Sequence, residues 1–226
     1  MRNEEFEFGG YKGYVVIPDN PNGKWIWKTE FFHAFEASEV ALFELGYTRV
    51  YYKISDMYGS SYAVRLMHEF HKYIVEKYSL EPTANLFGFS RGGLYAFNYA
   101  LFYPECVRTV YLDAPVMDLS SWPKKDTVEQ KQFFEIYNVT ADTLASFKDS
   151  PVHHIPEYTA HGIPTLLVVG GVDESVPYEE NSKALVDWCE KNSLPLDFHY
   201  KPECGHHPHS LEDVSPIVEF IEKHNA

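Results

Sequence analysis

Short apolar runs alternate with amphipathic stretches along most of the chain. Tyr14–Ile17, Trp25–Trp27, Val50–Ile54, Asn85–Phe89, Val107–Leu112, Thr165–Val169 and Leu196–Tyr200 are each too short for a helix and rich in β-branched or aromatic residues. They read as strands. Between them, Val64, Met67, His71, Ile74, Val75 and Tyr78 fall at helical spacing and predict a helix over 61–78. Further helices are expected over 31–45, over 92–102, around Ala184–Cys189 and around Ile217–Ile221. Strands joined by helices imply an α/β fold, with a mostly parallel central sheet and helices on both faces.

One stretch breaks the alternation. From Pro115 to Pro164 there is no clear strand, and Trp122, Phe133, Phe134, Tyr137 and Phe147 are scattered through mixed sequence. It reads either as a small helical cap over the sheet's C-terminal edge or as a pair of packing helices. With no repeat and no low-complexity linker, residues 1–226 are expected to form one domain carrying this insertion.

Composition narrows the function classes. There are 33 acidic and 19 basic residues, a formal charge of −14. Such a surface repels nucleic-acid backbones and anionic membranes, so neither is expected as a partner. No apolar stretch approaches membrane-spanning length, and no apolar run follows Met1–Glu5 as in an export signal. Three cysteines (Cys106, Cys189, Cys204) at unrelated spacings argue against a disulfide framework. The expected location is the cytoplasm.

The chemistry gathers around three segments. Gly88-Phe89-Ser90-Arg91-Gly92 fits G-x-S-x-G. It follows the apolar run Leu86-Phe87 and precedes the helical pattern Leu94–Phe97. In that strand–turn–helix setting a serine sits on a tight bend with its Oγ exposed. The Arg91 N–H, at a helix start, is then a candidate oxyanion donor.

A serine hydroxyl needs a base, and the base needs an orienting acid. Asp173 leaves the strand ending at Val169 on Gly170-Gly171-Val172. Glu174, Asp113 and Asp118 compete for its role. The base lies in Gly205-His206-His207-Pro208-His209, between the final strand and the C-terminal helix. His206, directly after Gly205, is the first candidate, His207 the alternative, and His209 a support for the loop or a lining of the pocket. The three histidines also admit a metal site, but no matching Cys or carboxylate pattern completes a zinc set, so no metal and no organic cofactor are expected. A second oxyanion donor is expected from the loop after Trp25-Ile26-Trp27, near Lys28 or Thr29. Lys28, Asp56 and Tyr58 are candidates for lining the substrate pocket, with ordinary turn chemistry the competing reading of Asp56 and Tyr58.

With these segments in place the chain resembles the α/β-hydrolase superfamily over most of its length. More narrowly it is similar to small bacterial esterases grouped with carbohydrate O-acetylesterases, through Gly23–Trp27, Asp56–Ser60 and Asp113-Ala114-Pro115. The resemblance implies the α/β-hydrolase fold and an esterase acting on a small-molecule ester, such as an acylated oligosaccharide. A peptidase or thioesterase on the same triad, and a non-catalytic binding protein of the same fold, are the alternatives.

Overall fold

The structure is a computed structural model describing residues 1–226. Eight strands form one sheet in the order β1-β2-β4-β3-β5-β6-β7-β8. They are β1 (Arg2–Phe8), β2 (Tyr11–Ile17), β3 (Trp25–Lys28), β4 (Thr48–Tyr52), β5 (Ala84–Phe89), β6 (Val107–Asp113), β7 (Thr165–Gly170) and β8 (Asp197–Lys201). The β1–β2 and β2–β4 pairs are antiparallel; from β4 through β3 to β8 every pair is parallel. The parallel strands thus point their C-terminal ends to the same edge.

The central strands are apolar because both of their faces are covered. Every residue of β3, β4, β5 and β7 is buried. Trp25, Trp27, Val50, Leu86, Val110 and Leu112 belong to the larger core, with α2 (Ser61–Tyr78) and α3 (Gly92–Phe102). Ile26, Phe87, Phe89, Tyr111, Leu166 and Val168 belong to a smaller core under α7 (Ser215–His224). Helix α6 (Lys183–Asn192) connects β7 to β8. No helix is long and apolar enough to cross a membrane.

The helix expected over 31–45 is shorter. Helix α1 spans Ala37–Glu44, and Phe31–Glu36 is a turn. Phe31 (φ 59°) and Phe35 (φ 51°) are left-handed, which a right-handed helix does not tolerate. Buried charge holds the turn in place. The Lys28 ammonium, 1 % exposed, pairs with the buried Glu39 carboxylate and donates to the Ala34 carbonyl at 3.1 Å. Arg49 bridges Glu36 (2.6 Å) and Glu39 (3.2 Å). The break in alternation between β6 and β7 contains α4 (Val128–Tyr137), α5 (Ile155–Ala160) and two single 3₁₀ turns. An edge-to-face cluster of Phe133, Tyr137 and Phe147 packs this segment internally. It meets the β4–α2 loop at Tyr58, whose hydroxyl donates to Gln132 (2.7 Å) and whose carbonyl accepts from Tyr137 (2.9 Å).

Candidate active site

The site is assembled from loops that leave the C-terminal ends of five strands, where ligands bind in open α/β sheets. Ser90 lies between β5 and α3 with φ 50°. A left-handed serine costs about 1–3 kcal/mol and persists only where its surroundings over-determine it. Here the Ser90 N–H donates to the Asp113 carbonyl (2.8 Å), and the Ser90 carbonyl accepts from Gly93 (2.9 Å) and Val116 (3.0 Å). Close approach leaves no room for a side chain at Gly88 and little at Gly92. A Cβ at Gly88 would stand 2.7 Å from the Ala96 Cβ, and one at Gly92 would stand 3.0 Å from the Glu30 Cβ.

The Ser90 Oγ is 2.9 Å from His206 Nε2, and His206 Nδ1 is 2.7 Å from Asp173 Oδ2. Asp173 Oδ1 accepts the N–H groups of Ser175 and Val176, each at 2.8 Å. Burial would raise the Asp173 carboxyl. The hydrogen bonds from His206, Val176 and Ser175 outweigh that effect and hold it below the ordinary carboxylate range. An ionised Asp173 keeps the proton of His206 on Nδ1 and leaves the Nε2 lone pair on the serine hydroxyl.

Competing residues have other occupations. Asp113 is buried and fully used. Its Oδ1 accepts from His209 Nδ1 (2.6 Å), and its Oδ2 from the Tyr111 hydroxyl and the Ser210 N–H (both 2.7 Å). This second buried acid–histidine pair anchors the loop that carries His206. Glu174 is exposed, and Asp118 caps its own turn through the Ser120 N–H. The exposed His207 stacks on Phe35 at 5.3 Å, and His206, not His207, is hydrogen-bonded to Ser90.

Three expectations about the flanking residues need correction. The Thr29 N–H donates to the Phe87 carbonyl at 3.0 Å, so it is spent on the sheet and not open to an oxyanion. The next N–H groups of that loop, on Glu30 and Phe31, have no protein acceptor, and neither does that of Arg91. Lys28 lies beneath the loop with its ammonium 3.6 Å from the Phe89 ring centroid and does not face a pocket. Tyr58 is completely buried against the β6–β7 segment. Asp56 is at the surface beside the site, where it accepts from Arg91 at 2.8 Å.

The contribution of Glu30 is not readable from the sequence pattern, because the Glu30-Phe31-Phe32 run there looks like a helix start. Its carboxylate is 3 % exposed and 3.2 Å from the Arg91 guanidinium. Burial raises the Glu30 carboxyl more than Arg91 lowers it. Arg91 therefore ties the nucleophile bend to the loops after β3 and β4, flanked by the rings of Phe31 and Tyr58.

An eight-stranded sheet of this order with a serine on the β5–α3 bend defines the α/β-hydrolase fold. The sequence profile described as alpha/beta hydrolase fold matches residues 51–152, the part that includes Ser90. Among solved structures, a carboxylesterase, Cest-2923 of Lactobacillus plantarum WCFS1, superposes with a TM-score of 0.68 at 16% identity, over 92% of this chain and 85% of that one. A puromycin-hydrolyzing peptidase of Mycobacterium tuberculosis gives a TM-score of 0.70 at 14% identity, over 98% of this chain but 37% of the peptidase. The metagenomic α/β hydrolase MGS-MChE2, from lagoon sediment of Mar Chica, Morocco, gives 0.57 at 16% identity, over 97% and 96% of the two chains. This chain therefore spans little more than a third of the peptidase it matches, and most of the length of the other two. No curated protein sequence shows significant similarity to it.

Proposed function

We propose that this chain is a serine hydrolase that cleaves carboxylic esters through an acyl-enzyme. The observation that carries the reading is the continuous hydrogen-bonded line from Ser90 Oγ through His206 to the buried Asp173, starting at a strained serine. Ser90 Oγ attacks the ester carbonyl while His206 Nε2 takes its proton. The Arg91 N–H and an N–H of the Glu30–Phe31 loop receive the developing oxyanion. His206 returns the proton to the departing alcohol. Water, deprotonated by the same imidazole, then releases the acid. Every catalytic group in this scheme is a side chain or backbone N–H of this chain.

We favour an acylated carbohydrate as substrate. Phe31 (40% exposed) and Phe35 (37% exposed) flank the oxyanion loop and the histidine loop, and such faces stack on sugar rings. In this reading the segment between β6 and β7 serves as a cap that reaches the site through Tyr58 and Trp122. Aminoacyl and peptide substrates are the second reading, favoured by the likeness to the puromycin-hydrolyzing peptidase.

The test is intact-mass labelling with a fluorophosphonate, peptide mapping, and release assays on p-nitrophenyl acetate, acetylated sugars and aminoacyl anilides. Labelling at Ser90 with acetate release is the expected result. Labelling with turnover of aminoacyl substrates alone would move the chain to the peptidases. A folded protein without labelling would overturn the hydrolase reading.

A further inference from the structure

We infer that His206, His207 and His209 form a binding site for a divalent transition-metal ion of the Zn²⁺ type, and that the ion and the serine base exclude each other. The binding half of this inference stands on geometry alone; the exclusion half rests on the hydrolase reading.

The three imidazoles form a nearly equilateral triangle. Their ring centroids are 4.9, 4.8 and 4.9 Å apart, and each pair is tilted edge to face. Each ring offers a nitrogen within 4.8 Å of the others. An ion about 2.0–2.1 Å from each would draw those nitrogens to within about 3.4 Å of one another. The adjustment falls on His207, which is exposed and, unlike His206 and His209, has no carboxylate on its ring, only the stacked face of Phe35.

The surroundings are those of a metal site. His206 Nδ1 is held by Asp173 and His209 Nδ1 by Asp113, at 2.7 and 2.6 Å. These carboxylate–histidine pairs orient the rings, set the tautomer and enrich the opposite nitrogen, as outer-shell carboxylates do around bound zinc. The two buried carboxylates also supply the two negative charges that balance a dication. The formal charge of −14 favours cation approach. Three imidazoles select Zn²⁺, Ni²⁺ or Cu²⁺ over the hard cations Ca²⁺ and Mg²⁺, which take oxygen ligands.

The consequence follows from one atom. His206 Nε2 is the nitrogen that contacts Ser90 Oγ at 2.9 Å. Its lone pair can bind an ion or accept the serine proton, but not both. Zn²⁺ is therefore a reversible inhibitor, bound by the same imidazole that activates the nucleophile.

The experiment pairs binding with labelling. Calorimetric titration of the intact protein with Zn²⁺, and with Mg²⁺ as control, is run on wild type and on His207→Ala. Fluorophosphonate labelling of Ser90 is followed with and without Zn²⁺, then after a chelator. The expected result is one Zn²⁺ bound by wild type. Changes outside a ligand set already cost about 10–100-fold, so loss of a ligand in His207→Ala should cost at least about 100-fold. Wild-type labelling should slow with Zn²⁺ and recover with chelator, and labelling of His207→Ala should lose that sensitivity. His207→Gln repeats the test should the alanine variant misfold. Absence of Zn²⁺ binding, or equal binding after loss of His207, overturns the site. Binding through His207 without slowed labelling overturns the exclusion. Binding through His207 in a chain whose Ser90 never reacts preserves the metal site and removes the hydrolase reading.

Discussion

Replacing Asp173 by Asn isolates the acid from the rest of the site. The carboxylate has two sets of partners: Oδ1 accepts from the Ser175 and Val176 N–H groups, and Oδ2 accepts from His206 Nδ1. An Asn side chain satisfies the first set with its carbonyl oxygen. Its NH₂ group then faces His206 and can only donate. The imidazole must turn its Nδ1 into an acceptor, so the proton moves to Nε2 and points at Ser90 Oγ. The base has then become a donor. In triads of this kind a tautomer error costs about 10⁴-fold in kcat, or about 5.5 kcal/mol at 1.36 kcal/mol per factor of ten. Stability should change little, because both backbone bonds survive. The assay is kcat for p-nitrophenyl acetate and the rate of fluorophosphonate labelling, beside a thermal melt. Asp113→Asn is the control, since Asp113 touches His209 and not His206. A loss below about tenfold in folded Asp173→Asn protein would refute the assignment. So would an equal loss of kcat in equally stable Asp113→Asn protein.

Two further predictions concern the frame. Lys28→Met removes the cation from the buried Lys28–Glu39 pair while Arg49 still holds Glu39, so the cost should lie near the lower end of the range for a broken buried pair, about 3 kcal/mol; urea unfolding checks this, and a loss under about 1 kcal/mol contradicts it. His71 is buried among Trp25, Trp27 and Tyr99, and burial pushes its imidazole down to about 4 although the bond to the Pro82 carbonyl works against the shift. The unfolded chain therefore takes up this proton first as pH falls from 6.5. Stability is full above that pH and is lost down to about 4, by about 3 kcal/mol in total. In His71→Gln protein that part of the pH dependence of unfolding should vanish, and an unchanged slope between those pH values would remove the explanation.

The parallel sheet was legible because its central strands are buried on both faces and so read as largely apolar runs, Trp25–Trp27 and Leu86–Phe89 above all. Strand β1 carries less signal. Its pattern Arg2-Asn3-Glu4-Glu5-Phe6-Glu7-Phe8 alternates only at its end, and it is an edge strand whose place comes from pairing with β2. The candidates Ser90, Asp173 and His206 could be picked out because each lies in a loop that follows a strand pattern. The loop after β3 could not. Phe31, Phe32, Phe35 and Leu42 fit a helical stripe, whereas Phe31 and Phe35 are left-handed in a turn held by the Lys28–Glu39–Arg49 charges, a pairing the hydrophobic pattern does not show. The same blindness misdirected Lys28 and Thr29. Sequence places them at a strand end, whereas the Lys28 ammonium is buried beneath the loop and the Thr29 N–H is bonded to the Phe87 carbonyl.

Backbone strain marks the same edge independently. Of the eleven non-glycine residues with positive φ, eight lie in loops that leave the C-terminal ends of strands: Phe31, Phe35, Asp56, Tyr58, Ser90, Ala114, Asp126 and Ser210. At about 1–3 kcal/mol each, such conformations survive only where other contacts outweigh them. Those contacts are visible. Lys28, Glu39 and Arg49 hold the Phe31–Phe35 turn, Arg91 joins Glu30 to Asp56, and Asp113 receives both His209 and the Ser210 N–H. Apart from the exposed Asp56, each network is built from buried or half-buried charge, which costs desolvation and contributes little net stability against an apolar core. What it supplies is one fixed geometry for the donors, the serine and the imidazole. The proposed hydrolysis, which rests on the 2.9 Å contact between Ser90 and His206, needs that fixity more than stability, and this edge of the sheet spends its charged residues accordingly.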